Sequence, residues 1–211
     1  MHELLEKLKR KFGGLPFSAE VVKREIGDFA AANAKVAALV KAGYLIRIKK
    51  GLFCLSPQLS GKSANSYAVA NCLYGPSYVS FETVLANEGL IEDRVVEVMS
   101  AVNRRGKEYD TPLGRFSYAT VPARWFPIGV QSRLVDGARV LVASREKALA
   151  DVLLSRGNLR IVSPKGLRSY LEDDLRLDVD GFANPDVEVF RELAECGCKV
   201  QLMNALERMF S

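Results

Sequence analysis

The apolar positions of the first sixty residues fall into three helical stripes followed by an alternating pair of strands. Leu4, Leu5, Leu8 and Phe12 recur at helical spacing, and Gly13-Gly14 ends the run. Leu15-Pro16-Phe17 is a short connection. Ser18 is a suitable N-cap, with Glu20 in the first turn, for a second helix ending near Gly27. Val21, Val22 and Ile26 are its expected buried side. Asp28 is placed to cap a third helix, ending at Gly43, with Phe29, Val36, Leu39 and Val40 as its apolar stripe. Its opposite side carries Ala31, Ala34, Lys35, Ala38 and Lys41. Tyr44-Leu45-Ile46-Arg47-Ile48 alternates like a strand, Lys49-Lys50-Gly51 turns, and Leu52-Phe53-Cys54-Leu55 returns. Ser56 to Ser63, with Pro57 and Gly61, reads as a linker.

The pattern then changes. Residues 64–73 read as a helix broken by Gly75-Pro76, and Ser80 caps another that runs through Asn87 to Gly89. Residues 95–102 and 115–122 are strand-like, with a weaker strand from Lys107 to Thr111 between them. Val130 to Val135 and Arg139 to Ala143 form a hairpin turning at Asp136-Gly137. Ser144 caps a helix through Leu154, and Ser163-Pro164 and Asn184-Pro185 are starts for two more. Lys199 to Phe210 is the last expected helix.

This order predicts an α+β chain in two parts. Residues 1–56 have the helix, helix, helix, hairpin order of a winged helix-turn-helix. Residues 57–63 link them to a mixed α/β domain over 64–211. A length of 211 residues accommodates two such domains. The opening Met1-His2-Glu3-Leu4 has no apolar signal segment, and no apolar run approaches a bilayer span, so a cytoplasmic protein without membrane contact is expected.

Charge sharpens the first part. Residues 1–62 hold 12 Lys and Arg against 5 Asp and Glu, a net of +7, whereas the whole chain is only +5. Residues 63–168 carry +4 and residues 169–211 carry −6. A basic end on a nearly neutral chain is the electrostatic footprint of a nucleic-acid binder, because Lys and Arg neutralise phosphates. In such a fold the third helix enters the major groove of double-stranded DNA. Asn33 suits an adenine edge and Lys35 a guanine or a phosphate, while exposed alanines allow close approach and touch thymine methyls. Lys23 and Arg24 on the second helix, Lys41 at the end of the third, and Arg47, Lys49 and Lys50 on the hairpin complete the candidate interface, mainly as phosphate clamps. Lysines on helices also simply solvate a face, and three helices with a hairpin also serve as protein-interaction modules. The acidic end is expected to be an ordinary helix exterior, with contact to a basic surface as the alternative.

Enzyme chemistry finds little to work with. Cys54, Cys72, Cys196 and Cys198 are expected as reduced thiols, and His2 is the only histidine, so neither a closed metal site nor a histidine-activated nucleophile is expected. Ser60-Gly61-Lys62-Ser63 lacks the upstream glycine of a phosphate loop, that position being Ser56, and Pro57 removes a backbone donor. Asp178-Val179-Asp180-Gly181 begins like a calcium loop but continues with Phe182. No enzymatic activity and no cofactor are expected.

Three stretches together resemble the AbiE-type antitoxin (AbiEi) family of abortive-infection toxin–antitoxin systems. They are Leu39 to Phe53, Tyr78-Val79-Ser80-Phe81-Glu82-Thr83-Val84-Leu85 with Gly89-Leu90-Ile91, and Val142-Ala143-Ser144-Arg145-Glu146-Lys147-Ala148-Leu149-Ala150-Asp151-Val152-Leu153-Leu154. Lys50-Gly51-Leu52-Phe53 stands where the family has Arg-Gly-Tyr. The matches span residues 39–154, leaving 163–211 outside. The resemblance implies an N-terminal winged helix that binds inverted repeats in its own promoter. It also implies a C-terminal domain that neutralises a nucleotidyltransferase toxin encoded beside it, in phage defence. The chain lacks the Gly-Ser pair ahead of paired acids that such a toxin needs, because Gly166 and Ser169 are separated within an expected helix. Ser80 and Ser144 read as plain N-caps, Glu82 and Glu146 as first-turn acids, and none of Glu146, Lys147 and Asp151 as catalytic. The alternatives are a stand-alone winged-helix regulator that senses a ligand or partner, and an enzyme acting on nucleic acid.

Overall fold

A computed structural model describes the chain except residues 1, 28, 93–95, 158, 160 and 162 and the side chains of residues 29–31. The Asp28 cap, the Phe29 and Ala31 positions and the start of the strand at residue 95 therefore lie outside what is described. The fold is mixed, with α and β elements and two sheets.

The N-terminal unit runs α1 (His2–Phe12), β1 (Phe17–Ser18), α2 (Ala19–Ile26), α3 (Phe29–Lys41), β2 (Leu45–Lys49) and β3 (Leu52–Leu55). The strands form one antiparallel sheet in the order β1-β3-β2, with Phe17 opposite Phe53 and Leu45 opposite Leu55. Leu4, Leu5 and Leu8 of α1, Val22 of α2, and Val36 and Leu39 of α3 pack with Phe17, Leu45, Phe53 and Leu55 into a small core.

All four residues of β3 are buried, which a strand with one wet face does not show. Phe53 and Leu55 face the three helices, while Leu52 and Cys54, with Ile48 of β2, join the large core of the rest of the chain. The hairpin is thus a layer between two cores. The segment after it begins with α4 (Pro57–Ser60), which uses Pro57 in its first turn and Gly61 at φ 72 to stop. A Cβ on Gly14 would lie 2.5 Å from the Ser63 carbonyl oxygen, and the Asn65 amide donates to the Gly14 carbonyl at 2.9 Å. Residues 57–65 are pressed against the N-terminal unit.

The larger unit contains α5 (Ser66–Leu73), β4 (Tyr78–Val79), α6 (Phe81–Asn87), β5 (Glu97–Val102), β6 (Lys107–Thr111), β7 (Gly114–Thr120), β8 (Val130–Val135), β9 (Ala138–Ala143) and α7 (Arg145–Ser155). It ends with α8 (Pro164–Ser169), which continues into a π-helical turn, then α9 (Val187–Glu195) and α10 (Val200–Phe210). Its sheet has the order β6-β7-β5-β4-β9-β8. β4 runs parallel to β9 and β5 parallel to β7, while the β4–β5, β6–β7 and β8–β9 pairs are antiparallel. The Tyr118 hydroxyl donates to the Ala70 carbonyl at 2.7 Å, which fixes α5 on one face. The Tyr78 hydroxyl donates to Asp151 at 3.0 Å, which fixes α7 on the other. No helix among the described residues is long and apolar enough to cross a membrane.

Candidate nucleic-acid interface

Helical spacing decides what α3 can show. Val36 and Leu39 face the core and Ala32 is fully buried. Asn33, Ala34, Ala37, Ala38 and Lys41 are exposed, at spacings of one, three or four residues, so they form one continuous stripe. It runs about 12 Å from Asn33 to Lys41 at 1.5 Å per residue. Four of its five members are alanine or asparagine, so a partner surface can come close to the helix backbone. Ala37 belongs to the stripe although sequence reasoning omitted it. Lys35, which sequence reasoning put on that side, is only half-exposed.

The remaining sequence-predicted cations divide by what already holds them. Arg24, Arg47 and Lys50 are exposed. The Arg47 guanidinium lies 5.9 Å from the centre of the Phe53 ring, which restricts its swing. Lys50 precedes Gly51, at φ 81, in the tight turn of the hairpin. Lys23 is half-buried and bonds Glu20 at 3.0 Å. Lys49 is half-buried too, and its ammonium donates to the Leu73 carbonyl at the end of α5. It ties the hairpin to the larger unit instead of standing free. Elsewhere on the basic unit, Lys7 pairs with Glu3 at 2.9 Å and Lys11 pairs with Glu25. Lys9, Arg10 and Lys62 line an open cavity of about 670 Å³ where α1, residues 60–65 and the β8–β9 turn meet. Sequence reasoning put none of these three in the candidate interface.

The chief polar cluster of the larger unit was also missed, and it is sealed. Lys147 and Asp151, one turn apart on α7, have no exposed side-chain surface, and their Nζ and Oδ1 are 3.3 Å apart. Asp151 accepts from Ser80 Oγ at 2.6 Å, from the Tyr78 hydroxyl at 3.0 Å and from Trp125 Nε1 at 2.6 Å. Lys147 Nζ donates to the Trp125 carbonyl at 2.7 Å and lies 4.7 Å from the Trp125 ring centre. Burial pulls the Lys147 ammonium down to about 8, with the Asp151 carboxylate opposing that fall. Burial, joined by the Asp151 charge, pushes the Tyr78 hydroxyl well above its usual range. Every member is satisfied and no substrate can reach the pair, so the cluster joins β4, the Trp125 turn and α7 in place of doing chemistry.

The two serines at the helix starts accordingly differ. Ser144 caps α7, its Oγ accepting from the Lys147 amide at 3.1 Å. Ser80 makes no side-chain cap to α6 and turns inward to Asp151 instead. Phe81 follows it at φ 57, a left-handed conformation costly for an aromatic residue. Among the described residues, no three His, Cys, Asp or Glu side chains gather to hold a metal.

No model of a known protein family and no curated protein matches this chain. It is similar to a solved structure, that of the RV2827C protein from Mycobacterium tuberculosis, at 12% sequence identity and a TM-score of 0.54. The likeness covers 99% of this chain and 80% of that one, and it is a likeness of fold.

Proposed function

We propose that this chain is a cytoplasmic antitoxin that binds its own promoter DNA as a repressor and has no enzymatic activity of its own. In this reading residues 1–56 are a winged helix-turn-helix, with α3 as the recognition helix and the β2–β3 hairpin as the wing. The observation that carries it is the small-residue stripe Asn33, Ala34, Ala37, Ala38 and Lys41 on a unit that holds 11 Lys and Arg against 5 Asp and Glu, a net of +6. Asn33 offers the two-point hydrogen bond that reads adenine in the major groove. The alanines let the helix seat deeply. Lys41, Arg24, Arg47 and Lys50 neutralise phosphates on either side. Lys35 and Lys23 lie nearer the margin, and Lys49 serves the fold.

The antitoxin half rests on the resemblance of the Tyr78–Leu85 and Val142–Leu154 stretches to the AbiE-type antitoxins. The partner it implies is a nucleotidyltransferase toxin encoded alongside, met directly or through its target.

Binding of the pure protein to its own upstream DNA, against a scrambled duplex of equal length across a salt series, tests the repressor half. The expected result is a preference that survives moderate salt and that Asn33→Ala reduces. Equal, steeply salt-dependent binding to both duplexes overturns it, because that is the behaviour of a bare electrostatic handle. Co-expression with the neighbouring toxin tests the other half, with restored growth expected.

A further inference from the structure

The six-stranded sheet has two edges, and they are protected differently. β6 carries Lys107, Glu108 and Asp110 in five exposed or half-exposed positions, a charge density that discourages pairing with another strand. β8 reads Val130-Gln131-Ser132-Arg133-Leu134-Val135, with one charge and no proline. That charge is already engaged: Arg133 donates to Glu88 at 2.5 Å and to Gln131 at 2.9 Å. Leu134 is 70% exposed, large for an apolar side chain on an ordered strand.

The turn fixes which peptide groups of β8 are free. Asp136 at φ 46 and Gly137 at φ 82 form a two-residue turn of the primed kind. Such a turn makes its flanking residues, Val135 and Ala138, exchange hydrogen bonds, and the exchange recurs at every second pair. Arg133 therefore bonds to Val140, and Gln131 to Val142. The N–H and C=O groups of Val130, Ser132 and Leu134 point the other way, out of the sheet. Of these, the Val130 amide makes a long 3.5 Å contact to the Pro127 carbonyl.

We infer that a second copy of this chain pairs along β8, antiparallel, about a two-fold axis through Ser132. Outward-pointing residues must face outward-pointing residues, and a register centred on Ser132, the middle one, matches all three. It sets Ser132 opposite Ser132 of the second copy and Val130 opposite Leu134 of the second copy, closing about six hydrogen bonds. The side chains agree with it. Exposed Leu134 gains an apolar neighbour, and Arg133 meets Gln131 of the second copy. A register with Arg133 on the axis sets two guanidinium groups opposite each other, and it faces residues whose hydrogen bonds already go to β9. The result is one continuous twelve-stranded sheet, twice the six strands of one copy. This inference stands apart from the DNA reading, though such a dimer would give a paired operator two basic units on one axis.

One strand pair is a small interface beside the roughly 1,600 Å² of a standard complex, so association in the micromolar range is expected. Sedimentation velocity of the full chain over about 1–200 μM, a range set by that expectation, should show a concentration-dependent monomer–dimer equilibrium. Ser132→Pro removes an outward amide without touching the β9 ladder and should weaken association at least about tenfold. Ser132→Cys should cross-link to itself under mild oxidation far above the wild-type background, because a hydrogen-bonded antiparallel pair holds Cα atoms about 5.5 Å apart. Arg133→Cys should not. A monomer throughout the range overturns the inference. So does a dimer that Ser132→Pro leaves unchanged, or one in which Arg133→Cys cross-links to itself as readily as Ser132→Cys.

Discussion

Lys147 has its charge where water cannot reach it, and the surroundings must do what water does elsewhere. The Asp151 carboxylate pairs with it at 3.3 Å, the Trp125 carbonyl accepts a hydrogen bond from it at 2.7 Å, and the Trp125 and Tyr78 rings lie 4.7 and 5.6 Å from the ammonium. Removing one partner of such a pair leaves the other charge buried and alone, at a cost of about 3–5 kcal/mol. Lys147→Met should lower unfolding stability in urea by that order. The pH dependence has a definite sign. The folded value, about 8, lies below the ordinary 10.5, so above pH 8 the unfolded chain holds the proton more firmly and stability rises with pH. Cys54 acts the opposite way from pH 9 upward, because burial raises its thiol to about 11. The clean window is pH 8 to 9. There the wild type should gain about 1 kcal/mol relative to Lys147→Met, because one proton carried across one pH step is worth about 1.4 kcal/mol. Parallel urea curves with no such gain would mean that Lys147 does not titrate in this range.

At the scale of elements, two adjacent lysines on one hairpin have opposite duties. Lys50 is exposed at the turn, whereas Lys49 is bound to the end of α5. Lys50→Ala should reduce the slope of log K against log salt for DNA by about 0.9, the share of one phosphate contact. Lys49→Ala should leave that slope alone and lower the melting temperature by about 2–4 °C, as loss of about 1 kcal/mol does in a chain of this size. A slope that responds to Lys49 instead would reverse the assignment. The alternation of Leu45 to Ile48 and the return at Leu52 made this hairpin legible in sequence. What binds Lys49 was not, because α5 is distant along the chain and no local period reports it. Helix starts show the same limit. Asn184-Pro185 reads as a start, yet α9 begins at Val187 because the Asp186 carboxylate accepts the Glu188 amide at 3.2 Å. β1 and β4 have two residues each, too few to show any period, although β4 joins the two halves of the large sheet. The α3 stripe was legible in part: Ala34, Ala38 and Lys41 are exposed as the spacing predicts, whereas Ala37 was omitted and Lys35 is only half-exposed. The Lys147–Asp151 pair left one local signal, two opposite charges one turn apart on a helix otherwise apolar on that side. Its partners Tyr78, Ser80 and Trp125 come from elsewhere.

At the scale of the molecule, the N-terminal unit and the sheet are not beads on a string. Ile48, Leu52 and Cys54 of the hairpin share a core with Val69 and Leu73 of α5 and with the central strands. Gly14 lets residue 63 come close enough that no side chain would fit between them. Residues 57–63, which composition marks as a tether, therefore hold two surfaces together. A strand buried on both faces, as β3 is, can loosen only when one of the two cores opens. Its amides should consequently exchange with solvent through the same opening as the centre of the sheet. In native-state hydrogen exchange, the opening free energies of Phe53, Cys54 and Leu55 should match those of Val79 and Val142 within about 1 kcal/mol. Leu73→Ala, which hollows the shared core, should lower both groups together, by about 2–5 kcal/mol. If the hairpin amides open several kcal/mol more easily than the sheet and ignore Leu73→Ala, the two units fold independently. The hairpin is then free to move against the sheet. If they open together, the orientation of α3 and Lys50 is set by the sheet. Anything that binds the larger unit and strains α5 then reaches the basic surface through Lys49 and the shared core, without a separate hinge.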